Sequence, residues 1–261
     1  MIRRWCTLLA SALLLLTGCA TLVPPPAGPV PGPAAATAAW QSVLTRFVNS
    51  AGEVDFAALA QDPADLHHYL RHVADQPLDS LPDGPVRLAH MINAYNALAM
   101  FNVLQSGIPS NHAGWRKLDF FVLRKLAIGG QTLSLYAFEN DVIRPHARRN
   151  HDPRIHFALN CAAVSCPVLP RQAFNADTLD ATLDHETRAF FARPANFRVD
   201  TPSRTVWLSE LLNFYPEDFV PQPATSLLAY ANRYAPHAAP ADFAVRFTPY
   251  DWTVANSRRA R

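Results

Sequence analysis

The chain has 261 residues, with 23 Lys+Arg against 21 Asp+Glu. That length suffices for one large folded domain or two small ones. The near balance of charge and the absence of any long basic cluster exclude a nucleic-acid role, since Arg258-Arg259-Ala260-Arg261 is too short to count as one.

At the start of the chain, Arg3 and Arg4 precede an apolar run over residues 8–16 that ends in Leu16-Thr17-Gly18-Cys19. Charge, a short apolar stretch and small residues before a cleavage point are the anatomy of a secretory signal. The run falls short of the roughly 20 apolar residues that a membrane-spanning helix needs. Its ending resembles the lipobox of bacterial lipoproteins, which implies a signal peptide over residues 1–18 and lipid on Cys19. Ala20 rather than Asp after that cysteine implies the outer membrane, facing the periplasm. Several acyl chains on one residue would anchor it stably. Cleavage would leave 243 residues and remove only Arg3 and Arg4, so the mature chain balances 21 basic against 21 acidic side chains. Cys6 would leave with the signal, and Cys161 and Cys166 would remain, in an oxidising compartment.

Residues 19–39 are rich in Pro and Ala and read as an extended, lipid-bearing tether. A single globular domain is expected over residues 40–254, with a tail at 255–261. Residues 40–50 have a helical apolar period, 54–56 begin a short extended piece, and 65–74 form another helix. Pro85 opens a long helix over 86–105, closed by Gly107 and Pro109. Gly129-Gly130 signals a hairpin between residues 120–128 and 131–133. Ser134 is placed to cap a helix over 135–144. Residues 155–159 read as a buried strand, and 177–193 as an amphipathic helix with Leu179, Leu183 and Phe190 inward. Residues 197–199 pair with 206–208, Ser209 caps a short helix that Pro216 stops, and a helix (227–234) and a strand (245–248) finish the domain. The fold class is α+β.

The densest polar signal within an apolar run lies at residues 155–167. On a strand, His156, Ala158 and Asn160 share a face, and Cys161 follows where a turn begins. An imidazole beside a cysteine lowers the thiol pKa, and a thiolate nucleophile needs a base and a group that orients the base. Cys161 is thus the candidate nucleophile, His156 the base, and Glu139 or Asn160 the orienter. The plain alternative is a Cys161–Cys166 disulfide. His90, Asn93 and Asn96 form a polar stripe on the long helix, where buried amides must bond either nearby backbone or a ligand. Asn93, Asn96, Asn160 and Ser165 are the candidate substrate-binding residues. His68 and His72, with Asp65 a turn earlier, have metal-ligand spacing without a third ligand, so no metal or other cofactor is expected.

At these residues the chain resembles the family called domain of unknown function 547. The likeness runs through Val54-Asp55-Phe56, Ile92-Asn93-Ala94-Tyr95-Asn96-Ala97-Leu98, residues 130–144, residues 155–169 and Tyr250-Asp251-Trp252. Bacterial members are often lipoproteins. Their layout is similar to papain-like and transglutaminase-like thiol enzymes, which implies early buried helices followed by an antiparallel sheet. This chain departs from that pattern in two places. The helix that would hold the nucleophile carries Asn93, Tyr95 and Asn96 but no cysteine, and Asn140 stands where the family commonly has His.

The reading is an envelope lipoprotein with a Cys161–His156 thiol site for amide hydrolysis or acyl transfer. Its partners are the membrane, through Cys19, and a peptide or small-molecule ligand. The rival is a non-catalytic binding lipoprotein with Cys161 and Cys166 joined, and a third class is a scaffold for other envelope proteins.

Overall fold

The computed structural model describes residues 20–258. The signal segment and the lipidation expected at Cys19 lie outside the described residues. Among the described residues, no helix is long and apolar enough to cross a membrane.

Strand β1 (Thr21–Val23) is followed by helices α1 (Pro33–Phe47), α2 (Phe56–Gln61), α3 (Ala64–Asp75), α4 (Pro85–Gln105) and the short turn α5 (Trp115–Leu118). After a π turn at Asp119–Leu123 come β2 (Arg124–Ile128) and β3 (Gln131–Leu133), then α6 (Leu135–Ala137) and α7 (Arg144–Arg148), joined by a second π turn. Helix α8 (Leu179–Phe191), β4 (Phe197–Asp200), β5 (Thr205–Ser209), α9 (Leu211–Phe214), α10 (Pro216–Phe219), α11 (Leu227–Ala231) and β6 (Ala244–Thr248) complete the order.

The α+β class holds, but the strands do not form one antiparallel sheet. They make two three-stranded sheets, β1-β2-β3 and β4-β5-β6, each with one parallel and one antiparallel pair. Connection length explains the mixture. Tight turns join β2 to β3 and β4 to β5, whereas β1 reaches β2 through α1–α5 and β5 reaches β6 through α9–α11. Such long crossovers permit parallel pairing.

The Pro/Ala-rich segment is not an extended tether along its whole length. Pro33 starts α1, which buries Ala36 and Ala39 ahead of Trp40. Upstream, Thr21–Val23 pairs with Arg124–Leu126 and buries Val23. Between them, Arg71 donates to the carbonyls of Pro29 (2.8 Å) and Ala27 (3.1 Å). Alanine is a strong helix former, and a helix gives these small side chains a face to pack. The expected tail is likewise bound as far as residue 258. The Val54 N–H donates to the Ala255 carbonyl, and Arg258 pairs with Asp55 at 2.7 Å.

Two apolar cores flank the middle of the chain. The first surrounds α4, whose residues 91–103 are all buried. The second is aromatic and gathers Phe157, Phe190, Phe191, Phe219 and Tyr230 beside β4–β6. Residues 155–157 touch both: Ile155 belongs to the first core and Phe157 to the second. His156 is thereby fixed between them.

Candidate functional site

Residues 155–159 are not a strand. Pro153–Phe157 form a 3-10 turn, capped where the Asp152 carboxylate accepts from the Arg154 N–H at 3.1 Å. Pro153 has no N–H for a ladder. The backbone groups just beyond are satisfied by Asn96 on α4: its Nδ2 donates to the Ala158 carbonyl (3.0 Å), and its Oδ1 accepts from the Asn160 N–H (2.7 Å). Asn160 then repeats the device. It donates to the Pro167 carbonyl and accepts from the Ala162 N–H, both at 2.7 Å. This turn holds Ala162 at φ 63°, a left-handed conformation that costs an L-residue about 1–2 kcal/mol. On its other side the loop is pinned to the C-terminal segment: Val164 N–H donates to the Thr253 carbonyl and Ala255 N–H to that of Ala162, both at 2.8 Å.

These clamps close Cys161 and Cys166 into a disulfide. The Cys161 N–H donates to Cys166 Sγ at 3.2 Å, and the Tyr250 hydroxyl donates to the same sulfur at 3.1 Å. The pair, 7% and 3% exposed, lines a cavity of about 50 Å³ together with Tyr95, Glu139, His156, Leu159, Phe214, Tyr215 and Tyr250. That space admits a few waters or the tip of a ligand. The structure therefore brings Cys161, His156 and Glu139 to one cavity.

The carboxylate on His156 is Asp218 of α10, with Nε2···Oδ2 at 2.8 Å. A carboxylate only accepts, so Nε2 is the donor in this bond, which leaves Nδ1 as the ring nitrogen free to face the cavity chemistry. Asp218 also receives Arg144 Nε at 2.7 Å and Arg148 Nε. Burial alone would raise the Asp218 pKa, but the hydrogen bonds from His156 and the two arginines hold it well below the usual carboxylate range. The Tyr215 ring stacks on His156, with centroids 4.7 Å apart, and the Arg144 guanidinium lies 4.2 Å from that ring. Arg144 is held in turn by Asn140 (2.5 Å) and Glu217 (2.6 Å). The histidine is therefore fixed in position and ring plane.

Glu139 has a different part. It accepts from the Tyr95 hydroxyl at 2.9 Å. Burial first, and Glu139's charge after it, push the hydroxyls of Tyr95, Tyr215 and Tyr250 well above their ordinary pKa. All three stay protonated donors around the cavity at neutral pH.

The other candidates fall outside it. Asn93 accepts from Trp40 Nε1 (3.1 Å) and the Phe174 N–H (2.9 Å) and donates to the Phe174 carbonyl (2.8 Å), so its amide serves as a staple. Asn96 and Asn160 are the loop clamps described above. Ser165 accepts from the Asp251 N–H at 2.9 Å and does not line the cavity. His72 packs against the His90 ring at 5.7 Å. Among the described residues, no group of three or more His, Cys, Asp or Glu side chains is placed to hold a metal.

Sequence reasoning missed Asp218, Arg144, Tyr215 and the role of Tyr250. Asp218 lies 62 residues beyond His156, and no local spacing joins them. Tyr95, Arg144 and Tyr250 stand inside segments that carry the family likeness, which was the one available signal.

The fold and the cavity define an α+β domain in which a cysteine pair, a histidine–aspartate couple and buried tyrosines share one small space. Residues 79–191 match the family model described as "Protein of unknown function, DUF547". This supports the family likeness carried by the Asn-Ala-Tyr-Asn and His-Phe-Ala-Leu segments, both within the matched span. Asp218 and Tyr250 lie beyond it. No curated protein and no solved structure matches the chain.

Proposed function

We propose that the protein is a lipid-anchored envelope protein with a thiol site for amide hydrolysis or acyl transfer, and that the Cys161–Cys166 disulfide is its resting, oxidised form. The observation that carries this reading is the shared cavity of Cys161, His156 and Glu139, with His156 oriented by Asp218. A nucleophilic cysteine needs a base and a group that fixes the base; His156 and Asp218 supply both. Once an external dithiol has reduced the pair, itself leaving as a disulfide, His156 Nδ1 takes the Cys161 proton and the thiolate attacks a carbonyl carbon. The leaving amine or thiol departs with the proton from the imidazolium, and water or a second acceptor resolves the acyl-cysteine. Tyr250, a donor at all physiological pH, stands beside the sulfurs to hydrogen-bond the developing charge. A papain-like arrangement of helix and histidine belongs to this proposal, as does lipidation of Cys19.

The test is acylation of the reduced protein by an activated thioester, followed by intact and peptide mass. A single acyl group on Cys161, absent in Cys161→Ala and much slower in His156→Ala, is the expected result. Acylation at unchanged rate in both variants would sink the catalytic reading.

The disulfide itself favours a second reading, a binding protein in which the pair is structural. The candidate ligand space is then a second cavity, of about 280 Å³, lined by Trp40, Tyr69, His72, His90 and Asn93. Burial lowers the His90 pKa to about 4, so it offers a neutral imidazole at pH 7. Retention of full ligand affinity by Cys161→Ala would support this alternative.

A further inference from the structure

We propose that the edge of the first sheet at which β1 and β2 begin rests on the lipid bilayer, with Trp115 and Leu118 entering the headgroup region. The inference builds on lipidation of Cys19 and adds an orientation to it. In the sequence only Ala20 separates Cys19 from Thr21, the first residue of β1, so a lipid on Cys19 would be tied to the sheet through a single intervening residue. A lipid there would hold the folded body at the membrane surface instead of at the end of a long tether.

Topology selects which part of the body is held. β1 and β2 are parallel, with Thr21 opposite Arg124, so both strands begin at the same edge. The chain entering β1 there is the anchor; the chain entering β2 there is the α5 turn and the π turn after it. Residues 113–118 are exposed without interruption, including Trp115 (71%) and Leu118 (40%). Leu22, on β1, is 66% exposed and stands in register with Lys125 on the outward face of the sheet.

The chemistry of this edge fits a bilayer. Trp favours the headgroup level, where its ring is half solvated. Exposed Arg116 and Lys117 sit between the two apolar side chains, and basic residues beside a membrane are drawn to anionic headgroups. Asp119, the nearest acid in sequence, is occupied by Arg124 at 2.8 Å. Lys117 also lies over the Trp252 ring, 3.9 Å from its centroid. Trp252 stacks with Phe214, which lines the disulfide cavity. The membrane-facing turn thus adjoins the rim of that cavity.

The test uses the full mature protein in phosphatidylethanolamine vesicles containing phosphatidylglycerol, with and without brominated acyl chains. Bromine in the bilayer should quench tryptophan emission, and Trp115→Phe should lower that quenching at least twofold while the far-ultraviolet spectrum stays the same. Quenching that is absent, or unchanged in Trp115→Phe, overturns the surface. Intact mass reports acylation of Cys19 separately. If Cys19 is acylated and Trp115 is unquenched, the surface fails alone. If Cys19 carries no lipid, the lipoprotein reading fails. The surface is then judged by co-sedimentation of the unlipidated protein with the same vesicles, which Trp115→Ala with Leu118→Ala should weaken at least tenfold and high salt should reduce. Equal sedimentation of that double variant and the unsubstituted chain rejects it.

Discussion

Asp218→Asn keeps the shape of the residue that orients His156 and deletes its charge. The carboxylate is buried and receives His156 Nε2 at 2.8 Å, Arg144 Nε at 2.7 Å and Arg148 Nε. Breaking a buried ion pair from one side costs about 3–5 kcal/mol, because the remaining charge loses its partner. Glu217 and Asn140 still hold Arg144 in the variant. The lower end, about 3 kcal/mol at pH 7, is therefore expected, or a fall in Tm of roughly 6–12 °C for a domain of this size. The folded pKa of Asp218 lies below its unfolded value near 3.9. Its contribution is thus fully present above about pH 4 and is lost only as the pH falls toward the folded value. Urea unfolding should give the same gap between wild type and variant at about pH 5 and pH 7, narrowing below about pH 4. A gap under about 1 kcal/mol at neutral pH, or one that widens with acid, would refute the reasoning.

Three further substitutions test the frame around the site. Asn93→Ala strands the Trp40 N–H and both backbone groups of Phe174; at about 1–3 kcal/mol for each orphaned buried group, and with some water entry, a loss of roughly 3–5 kcal/mol is expected in thermal melts. An unchanged melt accompanied by weaker ligand binding would return Asn93 to the role of a binding residue. Gly52 sits at φ 77°, and a Cβ there would lie 2.6 Å from Val168 Cγ1 and 2.7 Å from Leu169 N. Gly52→Ala should therefore cost about 2–4 kcal/mol by displacing the end of the cysteine loop, and a wild-type denaturation midpoint would contradict this. Ala162→Gly relieves the left-handed strain beside Cys161 and should raise stability by up to about 1 kcal/mol, after the extra freedom of glycine in the unfolded chain. A clear drop in stability would show that the alanine methyl packs better than its strain costs.

The helices were legible because their signals are local. Pro85 and Gly107 bracket α4, Gly129-Gly130 marks the hairpin, and the Ser134 hydroxyl accepts from the Ala137 N–H as a cap should. The register of Phe197 with Leu208 likewise follows from alternation on short, neighbouring strands. The 3-10 turn at Pro153–Phe157 was misread because an apolar run gives no period of its own, and the partner that satisfies its backbone, Asn96, sits on a distant helix. The same gap hid Asp218. Electrostatic orientation of His156 depends on where α10 packs, and nothing near residue 156 encodes that. The cavity's cysteine and histidine were found because the loop that carries them is short; its tyrosines and its aspartate arrive from elsewhere in the fold.

The measurement that bears most directly on the central claim is the alkylation profile of the two cysteines. Iodoacetamide is applied across a pH series before and after reduction, and the label is placed by peptide mass. No label is expected before reduction, because both sulfurs are joined. After reduction, Cys161 should label with a midpoint well below the ordinary thiol value of about 8.5, and His156→Ala should raise that midpoint toward it. A reduced Cys161 that titrates at or above the ordinary value, unmoved by His156→Ala, would contradict the thiol site and leave the cysteine pair a structural disulfide.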